Sequence, residues 1–302
     1  MKNLKLSIKI LGVVLMAGLF ACNDGDDPSF KGRANVKATD AAVDAENVNA
    51  VYLSVSEIHA TANGQTKTVV SFNTPKKFNI MAYQNGATYL MGDGELDAGS
   101  YSDLRFITSG ESDSYIELDD GSTKELVIEN GTTTGYRIQG AFEIATNTTT
   151  DLVADIDLRK ALVATADGSF KLRSTARVVA EDKTGKIEGT VSQSADASER
   201  IVVYAYESGT FSASEENAPA DGNTRYEGSI NSAIVTANGS YTLAFMEEGD
   251  YEVVVAKYTN QDDDEDMEFE GRLNSSIMIN GSLFNKISVS SNTTISANLL
   301  IN

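Results

Sequence analysis

The sequence predicts an all-β chain: two antiparallel β-sandwich domains in tandem, behind an N-terminal stretch that stays outside the fold. Three observations predict it. Short runs in which apolar and polar residues alternate recur along the chain, the pattern of strands with one face in a core. Asn63-Gly64, Asp120-Gly121 and Asp167-Gly168 stand between such runs, and these pairs tolerate the positive φ that hairpin turns need. Hydrophobic residues make up 41% of the 302, enough for packed cores, and the length suits one or two domains.

The strand runs come in order. Val51–Val55, Thr68–Phe72, Asp103–Ile107, Glu125–Ile128, Tyr136–Ile138 and Leu152–Leu158 belong to the first domain. Phe78–Tyr83 breaks the alternation and reads as a helical turn or two, ended by Gly86. Glu181–Gly185 is polar and without apolar periodicity, so it marks the boundary. Lys186–Val191 and Ile201–Tyr206 open the second domain, followed by a long polar stretch from Glu207 to Asn231. Strands resume at Ser232–Val235, Asn238–Leu243 and Gly249–Val255, and the chain closes on Ile287–Val289 and Thr293–Leu299. Gly168-Ser169-Phe170, Gly239-Ser240-Tyr241 and Gly249-Asp250-Tyr251 each place a Gly in a turn and an aromatic two residues on, at the first inward position of a strand. These aromatics read as core side chains rather than a sugar platform.

Residues 1–21 read as an address. Lys2, Lys5 and Lys9 form a basic n-region, and the apolar run Ile10–Phe20 is too short to span a membrane as a mature helix. It ends Leu19-Phe20-Ala21-Cys22, which resembles the lipobox of bacterial lipoproteins, with cleavage between Ala21 and Cys22. The resemblance implies that the Cys22 thiol takes a diacylglycerol and that its freed amine is acylated. Several acyl chains anchor firmly, at about 0.8 kcal/mol per buried methylene. Residues 22–31 form an acidic tether, Asn23-Asp24-Gly25-Asp26-Asp27-Pro28-Ser29 at its centre. It resembles the surface-export signal of Bacteroidota lipoproteins; a plain solvated linker is the alternative. The implied location is the outer membrane, facing outward, with a periplasm-facing arrangement as the alternative.

Composition excludes several chemistries. The one His is His59 and the one Cys is Cys22, so a Ser–His–Asp or Cys–His site would need His59. A zinc site of His and Cys has nothing to build from, and an intrachain disulfide is excluded. The formal charge is −20; removing residues 1–21 takes away three lysines and no acid, which leaves −23. Such a chain repels nucleic acid and anionic membrane surfaces. Neutral glycans, proteins and cations remain as partners, beside the membrane reached through lipidated Cys22.

Several residues invite a functional reading. Asp155 and Asp157 lie two apart on one strand face, with Asp151 in line, as a calcium site or acid–base pair would require. Alternation with Leu152, Ala154, Ile156 and Leu158 favours a solvent face instead. Asp262, Asp264 and Asp266 sit in the densest charge run, a weak metal candidate that lacks the Gly of an EF-hand loop and reads as a self-repelling hairpin loop. No cofactor is expected, loose calcium binding aside. Asp40 and Asp44 flank a turn and read as caps of backbone N–H groups. In a continuous strand Val55, Glu57 and His59 share a face, and His59 reads as a surface residue. Tyr83, Tyr89 and Tyr115 are candidates for a glycan or protein surface. No catalytic residue is assigned.

Two families resemble this chain. Gly32–Asp44, the strand from Val48 to Ala60, Phe78–Gly86, Leu96–Thr108, Gly135–Ile144, Leu152–Val163 and Ser169–Val179 resemble, in order and spacing, the domain-of-unknown-function 4382 family of bacterial lipoproteins. This covers residues 32–182; Ala42 and Ser174 stand where that family often has Pro. The resemblance implies a β-sandwich on a cell-envelope lipoprotein and no catalytic residues. Residues 183–302 are similar to a carboxypeptidase-regulatory-like (transthyretin-like) domain, on Gly185–Val191, Val202–Tyr206 and Ala237–Ala256, with the stretch 207–231 as an insert. Such domains imply spacers or interaction modules. The expectation is a non-enzymatic surface-binding or adhesion module for glycan or protein. The alternatives are a structural or assembly subunit of an envelope complex, or a hydrolase working with two carboxylates.

Overall fold

The computed structural model describes residues 30–41, 48–110, 112–193, 195–196, 198–220, 223–260 and 267–302. Ala21, Cys22, the tether up to Ser29, Asp44 and the run Asp262–Asp266 lie outside the described residues. The described chain is all-β, with short helical turns only between strands.

The first twelve strands form one sheet. They are β1 (Lys31–Ala41), β2 (Val48–Ala62), β3 (Gln65–Asn79), β4 (Tyr89–Asp97), β5 (Gly99–Thr108) and β6 (Tyr115–Leu118). β7 (Thr123–Val127), β8 (Tyr136–Ile144), β9 (Thr149–Asp157), β10 (Leu162–Ala164), β11 (Phe170–Leu172) and β12 (Arg177–Ala180) follow. Their order is β10-β11-β7-β6-β2-β5-β8-β12-β9-β1-β4, with β3 on β2. Pairing is mostly antiparallel, but β1–β9, β8–β12 and β7–β11 are parallel. The sheet curls until β4 reaches β3, where Lys67 pairs with Asp97 at 2.7 Å. One core fills the curl, with Val36, Ile58, Leu104, Ile138 and Leu152 fully buried.

Local chemistry explains the turns. Asn63 and Gly64 both have positive φ, at 50° and 74°, and close the β2–β3 hairpin as their sequence predicts. The break at Phe78–Tyr83 is a single 3₁₀ turn, Ile80–Ala82, capped by the Asn79 side chain. Within β2 the inward set changes parity, from Val51, Leu53 and Val55 to Ile58 and Ala60. The register shifts between Val55 and Glu57, so a bulge inserts one residue there. Val55 therefore faces the core and does not share a face with Glu57 and His59, because the strand is not continuous in register.

The remaining strands are β13 (Thr184–Thr190), β14 (Glu199–Glu207), β15 (Asn231–Ile234), β16 (Ser240–Glu247), β17 (Gly249–Thr259) and β18 (Glu268–Leu273). β19 (Ser275–Ile279), β20 (Ser282–Phe284), β21 (Ile287–Val289), β22 (Thr294–Ser296) and β23 (Asn298–Ile301) complete them. They make three sheets: β16-β13-β22, β15-β14-β17-β18 with β21 on β17, and β20-β19-β23. Ile201, Val203 and Ala205 of β14 point into a core shared with Leu243, Val255 and Leu299. Val202, Tyr204 and Tyr206 point the other way, into a second cluster with Tyr226, Tyr258 and Phe269. Burial on both faces is why Ile201–Tyr206 reads as an unbroken apolar run. Within the polar stretch 207–231, Phe211 and Tyr226 cover that outer face. Tyr226 is fully buried and stacks on Tyr204 at 4.4 Å between ring centroids.

Gly94 marks where β4 crosses β3: a Cβ there would lie 1.7 Å from the backbone oxygen of Val69. No rotamer relieves a clash with backbone. Gly94→Ala is expected to lower the unfolding free energy by about 2–3 kcal/mol in urea titration, and an unchanged midpoint would contradict this crossing.

Candidate functional site

Parallel pairing of β1 with β9 sets Thr39 beside Asp155, Asp40 beside Ile156 and Ala41 beside Asp157. Three carboxylates therefore gather where the two strands end. Immediately after β9 the short helix α1 (Leu158–Ala161) turns Arg159 and Lys160 toward the second half of the chain. The acids are buried: Asp40 is 3% exposed, Asp155 5% and Asp157 7%. The solvent face expected for Asp155 and Asp157 is thus corrected. Both faces of β9 are covered, one by the first core and the other by residues of the second half.

Each acid has a committed partner. Arg177 donates from Nε and one terminal nitrogen to Asp155 Oδ2, at 3.0 and 2.8 Å. The same terminal nitrogen donates to the Phe245 carbonyl at 3.0 Å. Arg159 is 8% exposed and spreads its fork across the junction. One nitrogen donates to Asp157 Oδ2 at 3.0 Å and to Ser229 Oγ at 2.8 Å. The other donates to the carbonyls of Arg225 and Tyr226, both at 3.0 Å. The guanidinium lies 5.2 Å from the centre of the Tyr204 ring. Lys160 donates to the Ser229 carbonyl. Asp40 accepts from the Leu158 N–H at 3.2 Å and from Gln84 Nε2 at 3.1 Å. It caps a backbone N–H as expected, but one far along the chain rather than in a local turn.

Burial shifts the protonation of Asp40, Asp155 and Lys160. It raises Asp40 well above the ordinary carboxylate range, and the charges of Asp157 and Asp155 push the same way. It raises Asp155 too, against the pull of Arg177. It lowers the Lys160 ammonium. Asp155 and Asp157 do not form an open acid pair, since each is covered and tied to an arginine. Four grooves, of about 370 to 820 Å³, have neither residue in their walls. The largest runs beside the junction, between Lys37, Asp151 and Glu181 on one side and Glu247 and Asn292 on the other.

The other candidates fall elsewhere. His59 is half-buried and bonded to Glu57 Oε2 at 2.6 Å. Tyr83 and Tyr89 pack on each other, and Tyr89 stacks on Phe78 at 4.7 Å. Tyr115 stacks on Tyr52 at 4.8 Å. All three tyrosines are half-buried and make no common exposed row. Tyr241 and Tyr251 are core side chains whose hydroxyls donate to the carbonyls of Ala297 and Glu247. Sequence reasoning missed Arg159, Arg177 and Tyr226. The available signal is Arg159-Lys160 one residue beyond Asp155-Ile156-Asp157, positive charge close to negative at the end of an apolar run.

Two outcomes follow. Arg159→Ala leaves Asp157 buried without its guanidinium, and is expected to cost about 3–5 kcal/mol and to split a single thermal transition into two. Asp40 binds a proton more tightly folded than unfolded, so its contribution declines as pH rises from the unfolded carboxylate pKa through the folded one. Asp40→Asn is therefore expected to gain ~1 kcal/mol over the parent in urea titration at about pH 8 and to match it near pH 4. A gain of equal size at both pH values would refute the buried-carboxyl account.

Comparison with known proteins places part of the chain. No curated protein matches it. Among solved structures, the Bacillus anthracis TIE protein is 12% identical over 90% of this chain, with a TM-score of 0.19. This chain spans only 34% of that one. The major pilin subunit BcpA of Bacillus cereus is 8% identical, covering 90% of this chain and 70% of the pilin, with a TM-score of 0.22. The minor pilin of Streptococcus agalactiae is 11% identical, covering 89% and 95%, with a TM-score of 0.21. Superpositions this loose define neither fold nor role for this chain. Residues 31–174 match the family model of the domain of unknown function DUF4382.

Proposed function

We propose that this is a lipid-anchored cell-envelope protein that works as a non-enzymatic surface-binding or adhesion module for glycan or protein. The observation that carries the reading is the lone cysteine at the end of Leu19-Phe20-Ala21-Cys22, before an acidic tether. Cys22 carries the lipid, residues 22–31 hold the body off the bilayer, and the outward face of the outer membrane is the location. The periplasm-facing arrangement is the alternative. Residues 32–182 and 183–302 act as two domains, the second of carboxypeptidase-regulatory type. The buried Arg159 network supports a body that moves as one piece on its tether. The carboxylates at Asp155 and Asp157 serve that network, which leaves a two-acid hydrolase without its pair.

One observation favours the assembly-subunit reading. Leu283 and Phe284 on β20 are 68% and 48% exposed, and β20 is the outer strand of its sheet. Exposed apolar side chains on an edge strand suit a protein partner. Crosslinking on intact cells separates the two: a fixed partner lost in Leu283→Asp would favour assembly, and a chain recovered alone would favour adhesion.

Anchoring is tested with labelled palmitate. The parent chain is expected to take up label and partition into detergent, and Cys22→Ala to do neither. Protease shaving of intact cells then reads the location. Loss of the chain without lysis supports the surface, and full protection supports the periplasm.

A further inference from the structure

In a chain of formal charge −20, one groove has the opposite sign. It has a volume of about 370 Å³ and is lined by Arg105, Arg137, Lys171 and Arg173, with Glu129 as the acid among its lining residues. Arg105 on β5 and Arg137 on β8 are direct register partners. Like charges opposed across a ladder repel and destabilise it. One buried carboxylate, Asp103, serves both: Arg105 Nε donates to it at 3.0 Å and Arg137 at 3.3 Å. Counting Asp103 and Glu129 against the four cations leaves a surplus of two positive charges.

The forks are held in place. Arg105 also donates to Thr61 Oγ1 and to the Thr134 carbonyl, at 3.3 and 3.1 Å. Arg173 donates twice to the Lys160 carbonyl, at 3.1 and 2.6 Å. Arg137 and Lys171 keep 46% and 43% of their side chains exposed. Beyond its bond to Asp103, the Arg137 fork has no protein partner among the described residues. Asn130, Thr134, Gln139 and Ser174 add amide and hydroxyl groups to the same wall.

We propose that this groove binds a carboxylate-bearing sugar of the uronic acid type. A planar guanidinium takes a carboxylate through two parallel bonds, and the Arg137 fork, bonded through one nitrogen to Asp103, keeps its other donors for such a ligand. The amides and hydroxyls take the sugar hydroxyls. The volume lies within the range of small-molecule sites. The negative charge of the whole chain opposes polyphosphate ligands at long range, so a local site for one negative charge is favoured over a nucleic acid track. The role of such a site deepens the surface-binding reading and rests on it.

The test is a calorimetric titration of the full lipidated chain in neutral detergent with D-glucuronate, D-glucose and sulfate. Glucuronate is expected to bind, at least tenfold more tightly than either of the others, and more weakly as salt rises. Arg137→Ala is expected to weaken it tenfold or more, and Arg137→Lys, which keeps the charge but loses the fork, by an intermediate factor. Glucose or sulfate binding as tightly as glucuronate would overturn the assignment, as would an unchanged affinity in Arg137→Ala. Arg137 is exposed, so that variant keeps the fold; a matching thermal transition confirms this. The palmitate and shaving assays do not depend on the groove, so the two readings fail separately.

Discussion

The Arg159 guanidinium is the contact on which the arrangement of this molecule depends. It starts in the first half of the chain, on the turn that ends β9, and finishes among carbonyls of the second half. Burying an arginine is costly unless every strong donor direction is answered, and breaking such a set costs more than the set contributes against an apolar replacement. A carboxylate, a hydroxyl, two carbonyls and an aromatic face answer its two terminal nitrogens here, while Nε is buried without a hydrogen-bond partner, as is Asp157 Oδ1. The consequence is geometric specificity: the second half fits only where those acceptors converge.

The acceptors themselves are unusual. Tyr226 and Phe245 have φ of 55° and 54°, a left-handed conformation that bulky residues seldom hold. Each such residue costs of order 1–3 kcal/mol unless its surroundings enforce it. In both, the carbonyl receives an arginine of the first half, Arg159 at Tyr226 and Arg177 at Phe245. The strain and the charge burial belong to one device. The left-handed turn aims a carbonyl outward from its own half, and the guanidinium bond offsets the conformational cost. Burial of the Tyr226 ring against Tyr204 fixes the same turn from the other side.

What the sequence made legible follows from range. Period-two patterns and Asn-Gly pairs act within a few residues, so strands such as β2, β9, β14 and β17 and the turn at Asn63-Gly64 could be read directly. A bulge is one extra residue whose position depends on neighbouring strands, so the parity change after Val55 is not legible in the sequence, and a continuous strand puts His59 on the same face as Val55, where the structure does not. Asp155 and Asp157 look like a solvent face because alternation reports one side of a strand; only the approach of a distant segment decides what covers the other. The 207–231 stretch reads as polar by composition, yet one residue in it, Tyr226, closes a core. Arg159 has a local signal, basic residues one position beyond alternating acids, but its partners other than Asp157 lie about seventy positions away.

The charge distribution links the junction to recognition. Acids outnumber bases 44 to 24, yet buried Asp157 is paired with buried Arg159 and buried Asp155 with half-buried Arg177. The basic groove is built beside the same strands: Arg173, in its wall, is anchored on the carbonyl of Lys160, the residue that follows Arg159. A positive groove on a chain of net negative charge has a selective consequence. Long polyanions meet net repulsion before they reach it, whereas a small ligand with one negative charge meets only the local field. The rigidity that the junction gives to α1 therefore extends to the groove wall. Recognition on this molecule is expected to depend on the Arg137 fork in a wall that Arg105 and Arg173 hold in place, rather than on a mobile loop.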